Sequence, residues 1–443
     1  LDQNFTILKL VPITAGFQTL PFIYLLANDL VHRRVGLLAL AFAAIAYGPN
    51  VVSRAGMRLP FYMLFTAATL YFLLRGLQTG RRNFFIFSGI TLGVSFYGYS
   101  ADRILPLVVL LAVVLFVIQS RSKGHKQQVI RSTLLLLLIA FVILLPLLRF
   151  TIEDTDSILF RTLTRMGSME RPLPESPLAI FFRNLGNALL MFSWDNGEVW
   201  VTSIPHRPAL GVISAALFWI GAAALIIRYL GSRSWMDLFW LLSIPVLMLP
   251  SIMSLAFPDE NPSLYRTGGA IVPVFLIVAL ALDGLMSAIR RRYPVTGARL
   301  AWGFAVLLLV LSSVQNYRLV FGDYSSQYRL SAWNSSEMAR VVNEYTASTG
   351  PIDSVWVMAY PHWVDTRLIG FLTGNPTRNF VIFPEQVETL PDTPTPKLFL
   401  IHPEDEISTQ LLEAKYPPGI IEQYESEVES KNFLLYYVPQ GSN

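Results

Sequence analysis

The chain has 443 residues, of which 53% are hydrophobic and only 14% charged, with 34 Lys and Arg against 30 Asp and Glu. Apolar residues in this amount, gathered in long runs, exceed what one soluble core can hide, so the sequence reads as a polytopic α-helical membrane protein. The absence of cysteine excludes disulfides, zinc–thiolate centres and thiol nucleophiles. The basic residues form short clusters between spans rather than a nucleic-acid surface.

The chain begins with Leu1, and Phe5 to Leu30 already has the character of a mature span without a signal-peptide cleavage site; the expectation is that a further segment lies upstream. Apolar runs predict about ten transmembrane helices, at roughly 7–30, 35–52, 59–75, 84–99, 104–119, 131–149, 209–228, 237–256, 268–288 and 300–317, each near the ~20 residues that cross a hydrocarbon core. Alternate connections carry the basic clusters: Arg33 and Arg34; Arg75, Arg81 and Arg82; Arg121, Lys123, Lys126 and Arg131; Arg228 and Arg233; Arg290, Arg291, Arg292 and Arg299. The positive-inside rule makes those loops cytoplasmic in a multi-pass protein of the plasma (inner) membrane. The turn holding Arg54 and Arg58, the Tyr97–Arg103 turn, the segment 150–208, the Pro258–Arg266 loop and the tail then fall on the outer side.

Within 150–208, the stretch Pro177–Trp194 sets Leu178, Ile180, Phe181, Leu185, Leu189 and Phe192 against Arg183 and Asn184 at helical spacing. It reads as an amphipathic helix that either lies on the membrane or packs on the bundle and caps helix ends. Asp195, Glu198 and His206 follow; they suit either a metal site or ordinary hydrogen bonding. Gly89 and Gly93 form a small-xxx-small pattern that predicts close helix packing. Asn4-Phe5-Thr6 and Asn334-Ser335-Ser336 match the glycosylation sequon.

From about Gly322 the composition turns polar, so residues 1–320 are expected to form the transmembrane domain and 321–443 an extracytoplasmic α/β domain. Helix patterns at Ser335–Thr349, Asp365–Thr373 and Glu404–Lys415 alternate with strand patterns at Ser354–Ala359, Phe380–Phe383, Lys397–Ile401, Ile420–Glu427 and Phe433–Val438, which indicates a partly parallel sheet. No phosphate-binding glycine loop is present, so no nucleotide is assigned. Pro361-His362-Trp363-Val364-Asp365 follows a strand and reads either as a recognition loop or as a helix N-cap at Asp365 beside a packed Trp363.

The outward-facing candidates are thus Arg54 and Arg58; Tyr97, Tyr99, Asp102 and Arg103; and Asp259, Glu260, Tyr265 and Arg266. Guanidinium forks bind phosphate oxygens and stay charged when partly desolvated, so arginines converging between tyrosines suit a phosphate or pyrophosphate on a lipid tail. Snorkelling to headgroups and pairing with Asp102 or Glu260 is the competing explanation for each arginine.

Lys9-Leu10 with Gly16, Pro49…Ser53-Arg54-Ala55-Gly56, Arg75…Gly80-Arg81, Gly89…Gly93…Tyr97-Gly98-Tyr99…Arg103…Pro106, Pro205–Gly211 and Arg266…Pro273 together resemble the GT-C superfamily, the polyprenyl-phosphate-dependent membrane glycosyltransferases of the protein O-mannosyltransferase and aminoarabinose transferase group. The resemblance covers roughly residues 5–320. It implies an inverting enzyme that moves a sugar from a polyprenyl-phosphate-linked donor to a lipid, glycan or protein acceptor at the outer face. Arg54, Arg58, Arg103 and Arg266 would hold the donor phosphate. Tyr97, Tyr99, Asp102, Asp259, Glu260 and Tyr265 would line the substrate site. In that family an acidic residue of the first outer loop serves as base or orients the acceptor; here it is expected upstream of Leu1, Asp2 being no convincing substitute, and the chain as written would lack that base. No cofactor is assigned, and a divalent metal is left open. A transporter or flippase of lipid-linked sugar, and a non-catalytic scaffold whose tail binds a partner, are the alternative classes. The spans are almost free of charge away from their ends, which argues against ion-coupled transport.

Overall fold

A computed structural model of the chain describes residues 5–120, 122–155, 164–165, 167, 170–391 and 393–441. The sequence positions Asp2, Asn4 and Arg121 lie outside the described residues. Lys9–Ser325 forms one compact unit, and the residues from Ser326 onward are grouped with Leu1–Leu8 in the other.

The first unit is helical. Its elements in order are α1 (Phe5–Leu30), α2 (Arg33–Ile45), α3 (Tyr47–Arg54), α4 (Pro60–Thr79), α5 (Arg82–Ser95), α6 (Leu105–Gln119, entered through a 3₁₀ turn at Ser100–Ile104), α7 (Lys123–Glu153), α8 (Pro177–Leu190), α9 (Val212–Ser232), α10 (Trp235–Ile252), α11 (Ile271–Arg292) and α12 (Gly297–Tyr317). Among the described residues, eight helices are long and apolar enough to cross a membrane, or nine if the bent α2–α3 pair is one span. The most apolar stretch is 78% buried in α11 and 72% in α4 but only 11% in α7; the first two therefore make the centre of the bundle, and α7 turns its leucines outward.

Three of the expected spans differ in form, each for a local reason. The run 35–52 is bent by 53° at Ala46. Pro49 has no N–H, and its ring clashes with the carbonyl of Ile45. The Asn50 amide instead donates to the Ala44 and Ala46 oxygens, both at 2.9 Å, which supplies a partner for the carbonyls freed by the bend. The run 84–99 contains the 14-residue α5, about 21 Å of helix, shorter than a ~30 Å hydrocarbon core. It is held to α7 by close backbone approach: a Cβ on Gly89 would lie 2.6 Å from the Leu136 carbonyl oxygen, and one on Gly93 2.8 Å from Ile143. Finally, the helix begun at Gly297 does not stop at residue 317. It continues through a π-helical turn (Arg318–Asp323) into α13 (Tyr324–Ser331), because Gly322 is tolerated within it and no proline intervenes.

The second unit contains α14 (Ser335–Ser348), β1 (Val355–Met358), α15 (Thr366–Leu372), β2 (Val381–Ile382), β3 (Lys397–Ile401), α16 (Glu406–Lys415), β4 (Ile420–Tyr424) and β5 (Phe433–Val438). The sheet order is β2-β1-β3-β5-β4. β1 pairs in parallel with both β2 and β3, while β5 is antiparallel to β3 and to β4. This is the expected partly parallel α/β layer. β3 is buried along its whole length, as a strand covered on both faces must be. Two apolar clusters cover those faces, one built on Met338, Val342, Phe380 and Leu400 and the other on Phe399, Leu412, Tyr416 and Tyr436.

Candidate functional site

Among the described residues, the arginine–carboxylate pairs of the bundle sort into two sets. Arg34 with Asp283, Arg75 with Asp29 and Arg228 with Asp237 all join positions assigned to the cytoplasmic ends of the spans. Arg165 with Glu260, Arg171 with Asp259, Arg266 with Glu260, Arg183 with Glu175 and Arg149 with Glu153 join positions at the opposite ends. The candidate residues belong to this second end.

The turn between α3 and α4 is built around Gly56, whose φ of +75° is readily available only to a residue without a Cβ. Its approach to α1 is close: a Cβ on Gly56 would be 3.8 Å from Lys9 Cγ, and one on Gly16 would be 2.1 Å from Ser53 Oγ. The motif residues of the first and second apolar runs are thereby brought together. Arg54 and Arg58 both lie exposed on this turn, and neither joins an ion pair among the described residues. Arg54 places its guanidinium 4.6 Å from the Phe321 ring centre, a cation–π contact. Arg58 acts electrostatically on both Tyr99 and Arg103.

The 3₁₀ turn before α6 is organised by Asp102, which is fully buried and accepts the Tyr99 backbone N–H at 3.0 Å. Its other carboxylate oxygen has no hydrogen-bond partner among the described residues. Asp102 thus shapes the turn, and it makes no ion pair with an arginine among the described residues. Tyr97 is used differently: its hydroxyl donates to the Ile143 carbonyl at 2.7 Å and ties α5 to α7. Tyr99 faces Tyr265, with ring centres 6.1 Å apart.

The loop bearing Asp259 to Arg266 is held from below. Ser251 Oγ donates to Asn261 Oδ1 at 2.7 Å, Asn261 Nδ2 donates to the Asn184 carbonyl at 3.0 Å, and Asn184 Nδ2 donates to the Ile252 carbonyl at 3.0 Å. The 177–194 helix thus packs on the bundle, where Asn184 satisfies a C-terminal carbonyl of α10, while Leu178 and Phe182 remain exposed. Above this base, Glu260 takes two guanidiniums, Arg165 at 2.7 Å and Arg266 in a close pair. Arg266 also donates to Ser254 Oγ at 3.0 Å and lies 5.3 Å from the Tyr265 ring centre. Burial works against its charge, but Tyr265, Glu260 and Tyr99 more than offset this and raise its pKa. Arg165 and Arg171 flank the Phe257 ring at 3.9 and 5.8 Å.

Arg58, Tyr99, Tyr265, Arg266 and Glu260 are thus linked neighbours, with Arg103 beside Arg58. Asp259 pairs with the exposed Arg171, and Arg54 turns to Phe321. Sequence reasoning did not single out Arg165 or Arg171. Their signal was charge complementarity: the Asp259-Glu260 pair needs cations, and the only unassigned ones nearby lay in the 150–208 segment. His206 Nδ1 meets Asp195 Oδ2 at 3.2 Å without Glu198, and no three His, Asp or Glu side chains gather into a metal-binding group among the described residues. On the same end, Arg207 lies 4.5 Å from the Tyr47 ring centre, and Tyr47 Oη accepts the Ile204 N–H.

Geometry of this kind defines a polytopic helical membrane protein with arginines and tyrosines at one end and a small α/β tail. Residues 2–150 match the family described as dolichyl-phosphate-mannose-protein mannosyltransferase. The structure of ArnT from Cupriavidus metallidurans, in the apo state, shares the fold at a TM-score of 0.54 and 13% identity, covering 97% of this chain and 83% of that one. The archaeal oligosaccharyltransferase AglB from Archaeoglobus fulgidus, solved with an inhibitory peptide and a dolichol-phosphate, aligns at a TM-score of 0.49 and 14% identity over 85% of this chain. The chain spans 53% of that protein's length. No protein of curated function matches by sequence. The family match and the shared fold agree on a resemblance to the GT-C superfamily of polyprenyl-phosphate-dependent membrane glycosyltransferases.

Proposed function

We propose that the chain is a glycosyltransferase that takes a sugar from a polyprenyl-phosphate-linked donor and passes it, with inversion, to a lipid, glycan or protein acceptor at the outer face of the inner membrane, with its tail extracytoplasmic. The observation that carries this reading is the Gly56 turn, which holds two exposed arginines outside any described ion pair at the end of the bundle where Tyr99, Tyr265 and Arg266 meet. It lies within the segment that matches the mannosyltransferase family.

Arg58, with Arg103 beside it, would bind the donor phosphate. Their task is leaving-group chemistry: as the bond from the anomeric carbon to the phosphate oxygen breaks, negative charge collects on that phosphate, and fixed guanidiniums favour it more than the bound donor. Glu260 keeps Arg266 and Arg165 in place, so the second rank of arginines acts by shaping the site and adding net positive field. Tyr99 and Tyr265 would border the sugar, and the acceptor hydroxyl would attack from the face opposite the phosphate, its oxygen replacing the phosphate oxygen on the anomeric carbon and its proton passing through solvent to the released phosphate monoester. Arg54, on Phe321, would contact the donor phosphate from the other edge of the same turn.

The test is binding of a polyprenyl-phosphate-linked sugar donor to the purified chain, with Arg58→Ala alongside and sugar transfer followed in parallel. Loss of one charge-assisted phosphate contact is expected to weaken donor binding by about 10- to 100-fold, with the thermal midpoint unchanged. Equal donor binding and transfer in the variant would overturn the assignment of Arg58. Movement of lipid-linked sugar across the bilayer without glycosidic bond formation would overturn the enzyme reading itself.

A further inference from the structure

The tail carries a cavity of about 400 Å³ between the ends of β1 and β3. Its place follows from the topology. The chain leaves β1 for β2 on one side and returns to β3 on the other, so the carboxyl ends of the two parallel strands open a crevice at the point where the strand order reverses, the usual ligand position in open α/β sheets. The volume falls within the ~300–1,000 Å³ typical of small-molecule sites.

Aromatic rings line it. His402 and Trp363, both on the lining, meet edge-on at 5.4 Å, and the His402 ring is backed by Tyr360, off the lining, stacked on it at 3.9 Å with only 2° between planes. Trp333, nearly half exposed, lines the same cavity. Asp365 does cap α15 through the N–H groups of Arg367 and Leu368, so the Pro361–Asp365 segment is both a helix start and a wall of the pocket. His362 and Ser430, also on the lining, are two of the four non-glycine residues with positive φ among the described residues, a local strain that a ligand site can account for.

The polar groups are sparse and of opposite sign. His402 Nδ1 accepts the Glu404 backbone N–H at 3.1 Å, which leaves Nε2–H as the donor of the neutral ring, with no hydrogen-bond partner among the described residues. Burial lowers the His402 pKa, against the pull of Glu404 and Asp405, so the ring is neutral at physiological pH. Glu404 receives only a long contact from Tyr360 Oη, 3.5 Å, and keeps acceptor capacity. Lys431 makes no ion pair among the described residues, and its backbone is fixed by Asn334 Nδ2 on its carbonyl at 3.0 Å.

We infer that this cavity binds a neutral saccharide. Flat aromatic faces with a negative quadrupole attract the polarised C–H bonds of one side of a sugar ring. An acceptor carboxylate, a neutral imidazole donor and an ammonium spaced around those faces match hydroxyls, each of which both gives and takes a hydrogen bond. A phosphate would face Glu404, and a cationic ligand would face Lys431. The inference does not rest on the transferase reading, because binding is read without any donor.

The experiment is saturation-transfer NMR on the full chain in a detergent with no sugar headgroup. The probes are the methyl glycosides of glucose, mannose, galactose and N-acetylglucosamine, with AMP and a short neutral peptide as competitors. At least one glycoside is expected to receive magnetisation, with affinity about tenfold weaker in Trp333→Ala and Trp363→Ala. Trp363 also packs against the core of the unit, so the exposed Trp333 supplies the variant that stays folded. His402→Phe keeps the stack and is expected to weaken binding by removing the Nε2 donor. No transfer to any glycoside, transfer unchanged in Trp333→Ala, or displacement of the sugar by AMP or the peptide would each overturn the proposal.

Discussion

The two ends of the bundle use the same residue types to opposite effect. At the end assigned to the cytoplasm each carboxylate meets one arginine from a neighbouring helix, and the carboxylates are nearly enclosed: Asp237 is 2% and Asp283 15% exposed. Arg34 also donates to Ser287 Oγ at 2.8 Å, and Arg228 to Asp237 at 2.7 Å. These are one-to-one staples between spans. At the other end one carboxylate, Glu260, is shared by two arginines, and further arginines sit on turns beside aromatic rings. Matched charge holds helices together; surplus charge on a preorganised turn is available to a ligand.

The comparison breaks most visibly at Arg34. Arg34→Met leaves Asp283 facing only His32 at 3.5 Å, an ion with most of its compensation gone. The expected loss is about 2–3 kcal/mol, several degrees in the thermal midpoint of the purified chain, with little change in donor binding per folded molecule. Arg58→Ala should do the reverse. If Arg34→Met left the midpoint in place and impaired donor binding instead, the division between staple and site would be wrong.

Gly56 sharpens the other side of the contrast. A Cβ there would have only an ordinary contact with Lys9, so the cost of Gly56→Ala is conformational, about 1 kcal/mol for an L-residue in the left-handed region. Gly56→Asn should recover part of it, since asparagine adopts that region more readily. A thermal midpoint that falls for alanine and recovers for asparagine checks the turn; equal losses would point to steric crowding.

Most of the architecture was legible before any coordinates. Long apolar runs marked most of the spans, about ten expected against eight or nine helices among the described residues that are long and apolar enough, because hydrophobicity acts over whole segments. What escaped depended on single residues acting on partners distant in sequence. Pro49 breaks the second span, yet the bend is tolerated only because Asn50 reaches back to Ala44 and Ala46. Arg165 and Arg171 carry no motif in the sequence, and only the fold sets them against Glu260 and Asp259, about ninety residues on. Tyr97 and Asp102, grouped with the arginines by proximity in sequence, turn out to serve backbone: one binds the Ile143 carbonyl, the other the Tyr99 amide. In the tail, Trp363 was readable as a packed residue beside a cap, but its contact with His402 depends on β1 and β3 being neighbours.

The tail offers the smallest test, and it extends the same distinction to the α/β layer. Glu337 lies at the start of α14 with a side chain 12% exposed. Burial pushes its pKa up, but Ser426 Oγ, the Asn334 amide and the Glu427 backbone N–H all donate to it, and with Arg340 they bring it below the ordinary carboxylate value. A depressed folded-state pKa means that the unfolded chain binds the proton more readily. The stabilisation is therefore fully present above the unfolded value of ~4.3 and is lost as pH falls through the lower, folded value. Glu337→Gln should flatten that part of the acid limb in thermal melts of the tail while leaving the neutral-pH midpoint only slightly lower, because the amide oxygen still accepts some of the same bonds. An acid limb unchanged by the substitution would mean that Glu337 is an unlinked surface charge, and the tail would then contain no matched cluster comparable to the staples of the bundle.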